Sequence, residues 1–171
     1  MSIDLIAQCF AFAGIAYLLA ISWPLARIDI REHRLPNRLV LPAFPIAIAG
    51  QLIASVILNQ WINFGLALAA ALIAFVIGLA ANHWTSLGMG DVKLISAIAL
   101  AMGWFSFMGP LLAVALAFII ASLVILVLIG LGRSSLKSSI ALGPYLLVGF
   151  VLTQMLTWST YLGGFAPNFF M

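Results

Sequence analysis

Charge is what this sequence has least of. Of its 171 residues, 6% are charged and 65% are hydrophobic, whereas a water-soluble domain carries roughly 25% charged residues. That scarcity excludes a soluble fold, because a chain of this length could not hide so much apolar surface, and it implies a polytopic membrane protein. Cysteine is limited to Cys9, which excludes an internal disulfide and a paired-thiol zinc site. Cys9 lies in an apolar run and is expected to face lipid or a neighbouring helix. Histidine is limited to His33 and His83, too few with four carboxylates to favour a metal cluster. Ser86, Ser134 and Ser135 lack the Gly-x-Ser-x-Gly setting of a serine nucleophile, and no glycine loop of the Walker type is present. The net charge of +3 gives no case for nucleic acid, since the basic residues lie between apolar runs. The N-terminal run has no basic start, and Asp4 stands where Lys or Arg would begin a cleavable signal. It is therefore expected to persist as a span.

What the sequence does have is long apolar runs. A span needs about 20 predominantly apolar residues, and six stretches qualify, at residues 3–26, 39–58, 61–81, 92–108, 110–131 and 140–161. The expected fold is an all-α bundle of about six transmembrane helices, compact because Ala, Gly and Ser abound in the spans. Arg27, Arg31, Arg34 and Arg38 flank the first loop, Lys93 follows the third, and Arg133 and Lys137 sit in the fifth. The second and fourth loops carry no charge, so the positive-inside rule places all seven basic residues in the cytoplasm and both termini outside. Trp23, Trp84, Trp104 and Trp158 fall near span ends and are expected as interfacial anchors. Pro42 and Pro45 fall in the first turns of the second span, where proline is tolerated or bends the helix.

The carboxylates are Asp4, Asp29, Glu32 and Asp91. Asp4 is expected to be solvated at the chain's outer end. Glu32 lies among arginines in what reads as a loop, where a surface ion pair is its plain role. Asp29 and Asp91 lie at the cytoplasmic ends of two spans, far apart in sequence but at one membrane depth. Carboxylates there are expensive to bury, which makes a functional role the default. Two plainer roles stay open: Asp29 as a snorkelling partner of Arg27 or Arg31, and Asp91 as a helix N-cap neutralised by Lys93.

The functional alternative is hydrolysis by a pair of aspartates. One ionised carboxylate draws a proton from water; a second, protonated one polarises the carbonyl and helps the nitrogen leave. Two close carboxylates do not both ionise easily, so one keeps its proton. Gly88 and Gly90, which lack side chains, would let an extended substrate approach the backbone beside Asp91. More simply, they would end one segment and permit a turn before the next.

The segment Gly88-Met89-Gly90-Asp91-Val92-Lys93 resembles the Gly-x-Gly-Asp-x-Lys motif of the prepilin peptidases, membrane aspartic proteases of bacterial type IV pilus and type II secretion systems. Asp29, followed six residues later by Leu35-Pro36-Asn37, is similar to that family's first-aspartate segment. Leu142-Gly143-Pro144-Tyr145 is similar to its Phe-Gly-Pro segment. The three matches lie in the family's order and extend over essentially the whole chain.

The resemblance implies that Asp29 and Asp91 are the catalytic pair. It implies that Gly88, Gly90, Lys93, Pro36, Asn37, Gly143 and Pro144 shape the active-site loops or bind substrate. No cofactor and no metal is implied. The expected substrate is a prepilin-like protein whose leader is cut at the cytoplasmic face of the inner membrane, with lipid but no nucleic acid as a further partner. The larger family members add an N-terminal region with paired cysteines and methylate the new N-terminus. Residues 1–171 are expected to form a single peptidase domain without that region, most like the cleavage-only peptidases of tight-adherence (Flp) pili. A small proton- or ion-coupled transporter and a non-catalytic assembly subunit are the competing readings. Oligomeric state has no signal in the sequence.

Overall fold

The structure, a computed structural model, describes residues 3–85, 87–132 and 141–162, with side chains as far as Thr157. Ser86, Arg133, Ser134, Ser135 and Lys137, and the side chain of Trp158, lie outside the described residues. The elements are α1 (Ile3–Ala11), α2 (Ala13–Glu32), α3 (Asn37–Val40), α4 (Ala43–Leu58), α5 (Trp61–Trp84), α6 (Met89–Gly103), α7 (Met108–Gly130) and α8 (Gly143–Leu162). No strand occurs among the described residues. The physical reason is lipid: it offers no hydrogen-bond partner, so each segment must satisfy its own backbone, which a helix does. The protein is an all-α polytopic membrane protein. Four helical stretches are long and apolar enough to cross a bilayer: Ala13–Glu32, Asn37–Leu58, Trp61–Trp84 and Met108–Gly130.

Several boundaries differ from the sequence expectation for identifiable reasons. The first apolar run is interrupted at Phe12 and then continues as helix to Glu32, two turns beyond residue 26. Residues 27–32, expected as loop, are helical, so Glu32 ends α2 and Asp29 sits on its inner face. Apolar content falls at Arg27, but helix geometry does not require apolar residues. His83 likewise lies in the last turn of α5, not in a loop. Pro42 precedes α4 with φ −63°, a value its ring already imposes, so it marks the short break between α3 and α4.

The largest difference is α6. The expected span 92–108 starts three residues earlier and stops at Gly103, giving 15 residues, too few for an ordinary crossing. Its residues from Ser96 to Gly103 are all buried, because α2, α4, α5, α7 and α8 all pack against it. A helix sheathed by protein need not match the lipid thickness.

Small residues make that sheath tight. A Cβ on Gly103 would lie 2.9 Å from Ala67 Cα, and one on Gly78 would lie 2.7 Å from Val92 Cγ1. Ser96 Oγ donates to the Ala71 carbonyl over 2.8 Å, and Gln51 Nε2 donates to the Leu100 carbonyl over 2.8 Å. Such interhelical bonds supply specificity where helix and lipid are equally apolar. Trp104 belongs to this interior rather than to the interface: it is buried, and its Nε1 donates to Ser55 Oγ over 3.2 Å. Trp23 and Trp84 are 77% and 80% exposed, as interfacial anchors would be. Large apolar side chains such as Ile62, Leu72, Leu111 and Leu126 point outward from α5 and α7, where they have lipid to meet.

Candidate functional site

The end of α2 and the starts of α3, α6 and α8 converge at one end of the bundle. Asp29 lies in the last turn of α2 and is 4% exposed. Leaving the helix, the chain passes through His33, which adopts the left-handed conformation (φ 49°, ψ 36°) and donates its backbone N–H to the Asp29 carbonyl over 2.9 Å. A left-handed residue is a common way to end a helix. It turns the chain so that Leu35 becomes buried in the main core cluster, and Pro36 then precedes α3 in extended conformation.

The Asp29 carboxylate does not face the arginines of its own helix. Its Oδ2 accepts the backbone N–H of Gly143 over 3.0 Å, and among the described residues it makes no ion pair with Arg27 or Arg31. Gly143 is the first residue of α8, where backbone N–H groups have no intrahelical partner and the helix dipole favours negative charge. A Cβ on Gly143 would lie 2.5 Å from Asp29 Oδ2, so the contact requires glycine. Pro144 follows in the first turn of α8, where its missing N–H leaves no bond unmade.

Asp91 is not the N-cap of α6. Gly88 holds that position, and Asp91 is in the first turn. From there its carboxylate lies back against Gly88 at the helix start. A Cβ on Gly88 would lie 3.0 Å from Asp91 Oδ2. Asp29 is near enough for its charge to act on Asp91. Both aspartates line one open cavity of about 320 Å³, with His33, Arg34, Leu35, Asn37, Gly88, Met89, Gly90 and Lys93 as its other walls.

Seven of the nine residues singled out in the sequence thus act at this place: Asp29, Asp91, Gly88, Gly90, Lys93 and Asn37 in the walls, and Gly143 behind Asp29. Pro36 and Pro144 shape the backbone nearby without lining the cavity. Gly88 and Gly90 have negative φ among the described residues, so neither serves a left-handed turn. Gly90 lines the cavity and also packs closely on Leu35, since a Cβ there would lie 2.8 Å from Leu35 Cβ. Lys93 donates its Nζ to Asn37 Oδ1 over 2.9 Å instead of neutralising Asp91.

Four cavity residues were given no role by the sequence argument: His33, Arg34, Leu35 and Met89. Leu35 and Met89 entered it only as members of the Leu-Pro-Asn and Gly-Met-Gly-Asp segments. Arg34 looked like one more topogenic cation. His33 looked isolated, and no spacing marks it, because it lies past the end of α2 in the left-handed turn. Among the described residues no group of three His, Cys, Asp or Glu side chains could hold a metal ion.

The site therefore offers two carboxylates, Asp29 held by the Gly143 N–H and Asp91 seated against Gly88, and cationic groups at the rim. The sequence profile of the type IV leader peptidase family matches residues 13–131, a stretch that includes both aspartates. No curated protein matches the chain, and no solved structure matches it.

Proposed function

The chain belongs to the type IV leader peptidase family, and on that premise we propose that it is a membrane aspartic endopeptidase that removes the leader of a prepilin-like protein, with Asp29 and Asp91 as the catalytic pair. The observation that carries this reading is that two carboxylates from distant parts of the chain line one cavity at one end of the bundle.

Water between the carboxylates loses a proton to the ionised aspartate as its oxygen attacks the scissile carbonyl. The protonated aspartate gives its proton to the carbonyl oxygen. Collapse of the gem-diol breaks the C–N bond: the aspartate protonated by the water gives that proton to the leaving nitrogen, and the other aspartate takes a diol hydroxyl proton, which restores the starting pair. This is acid and base work divided between two like groups. The Gly143 N–H fixes Oδ2 of Asp29 and leaves the other oxygen to act. No metal or cofactor is needed for any step.

The placement of Arg34 and Lys93 at the cavity supports a cytoplasmic active site in an inner membrane, by the positive-inside rule. The three sequence motifs support a prepilin peptidase. A transporter would place its carboxylates near mid-membrane, which a cavity at a helix-end cluster does not favour.

The test is reconstitution of the full chain in liposomes with a leader-bearing prepilin. The expected result is a product whose new N-terminus, read by mass spectrometry, lies at the leader junction. A precursor that stays intact under conditions where the chain is folded would contradict the proposal.

A further inference from the structure

Asp29 and Asp91 belong to different helices, and aspartate chemistry is sensitive to their separation: a misplacement of about 1 Å at a reacting group can cost on the order of a hundredfold in rate. Something must hold the end of α2 in register with the start of α6. Building on the peptidase reading above, we infer that the segment Leu35-Pro36-Asn37 is a spacer that sets one aspartate against the other, with Leu35 as its wedge and Lys93 as its lock.

The segment follows Asp29 directly, after the left-handed turn at His33. Leu35 is then seated between the first turns of two other helices. On one side is Gly90, where a Cβ would lie 2.8 Å from Leu35 Cβ; on the other is Gly143, where a Cβ would lie 3.1 Å from Leu35 Cδ2. Gly90 adjoins Asp91, and Gly143 holds Asp29. One apolar side chain therefore packs against the immediate neighbours of both carboxylates.

Two residues beyond Leu35, Asn37 Oδ1 accepts Lys93 Nζ over 2.9 Å. Gly90 and Lys93 are three residues apart on α6 and share a helix face. The spacer thus grips α6 on either side of Asp91. The Lys93–Asn37 bond is exposed, and an exposed polar pair contributes little to stability. Its consequence is geometric. Bonded to a neutral amide, the ammonium also leaves the Asp91 oxygens to the cavity. Leu35 and Lys93 are positioning residues: they act through the aspartates, not on the substrate.

The experiment uses the full chain in liposomes with a prepilin, comparing Lys93→Met, Asn37→Leu and the reciprocal exchange of Lys93→Asn with Asn37→Lys. Each single variant is expected to lower kcat by about 10- to 100-fold, while KM stays within about twofold. The exchange rebuilds the bond with its ends reversed and is expected to recover most of the lost kcat. Leu35→Ala should resemble Lys93→Met, and Leu35→Met, which keeps the volume, should stay near wild type.

Amide hydrogen exchange supplies a readout independent of cleavage. The N–H groups of Leu39, Val40 and Leu41 bond to the carbonyls of Pro36 and Asn37; they should exchange faster in Lys93→Met and slow again in the reciprocal exchange. A raised KM with unchanged kcat would overturn the inference by making Lys93 a substrate-binding group. Unchanged amide exchange, or a reciprocal exchange that recovers nothing, would overturn it too. Failure of the wild type itself to cleave would count against the peptidase reading, while the amide exchange would still decide whether Lys93 holds the spacer.

Discussion

The backbone N–H of Gly143 donates to Asp29 Oδ2 over 3.0 Å, joining the last turn of the long second helix to the first residue of the eighth. The bond fixes one carboxylate oxygen without using a side chain, so the carboxylate is oriented and the cavity stays open.

Gly143→Ala puts a methyl group where Asp29 Oδ2 lies, at 2.5 Å. Either the carboxylate rotates away or α8 shifts. Leader cleavage should fall by about 10- to 100-fold, while circular dichroism shows the helical content unchanged. Full activity in this variant would mean that the Gly143 bond does not orient the reacting group.

Glycines of this chain are not equivalent, and a pair of substitutions exposes the difference. Gly90→Ala drives a Cβ to 2.8 Å from Leu35 Cβ. That overpacking should cost about 1–3 kcal/mol, read as a lower melting temperature in detergent, and cleavage should fall with it. Gly65→Ala meets no atom within 4 Å and removes a flexible residue from a helix, so its melting temperature should be unchanged or slightly higher.

Much of the candidate site was legible in the sequence because it is built around rare residues. Four acidic residues stand in a chain of 171, so Asp29 and Asp91 stood out, and their flanking glycines and Leu-Pro-Asn segment named the turns around them. The membrane class was equally plain from the apolar runs. What was hidden depended on partners distant in sequence. Nothing local says that Gly143 will meet Asp29 or that Leu35 will seat on Gly90, since backbone donors and Cβ clearances leave no mark on a sequence. Trp104 shows a second limit. Its position after an apolar run has the pattern of an interfacial anchor, but Ser55 on α4 takes its N–H, and only packing reveals that.

Trp104→Phe tests this interior assignment. It removes the donor to Ser55 Oγ and leaves the hydroxyl buried in the bundle. Stability should drop by about 1 kcal/mol, seen as a lower thermal midpoint, with kcat for leader cleavage unchanged because the site is at the cavity end. A variant as stable as wild type would return Trp104 to the interface.

The most direct test of the central claim is cleavage of a reconstituted prepilin by Asp29→Asn and by Asp91→Asn. Asparagine keeps the size and the acceptor oxygen but neither ionises nor gives up a carboxylic proton. Each variant should fold, elute like wild type on size exclusion and lose at least about a thousandfold in cleavage rate. Mature product formed at the wild-type rate by either variant would contradict the account, because the two carboxylates would then share a cavity without performing the chemistry.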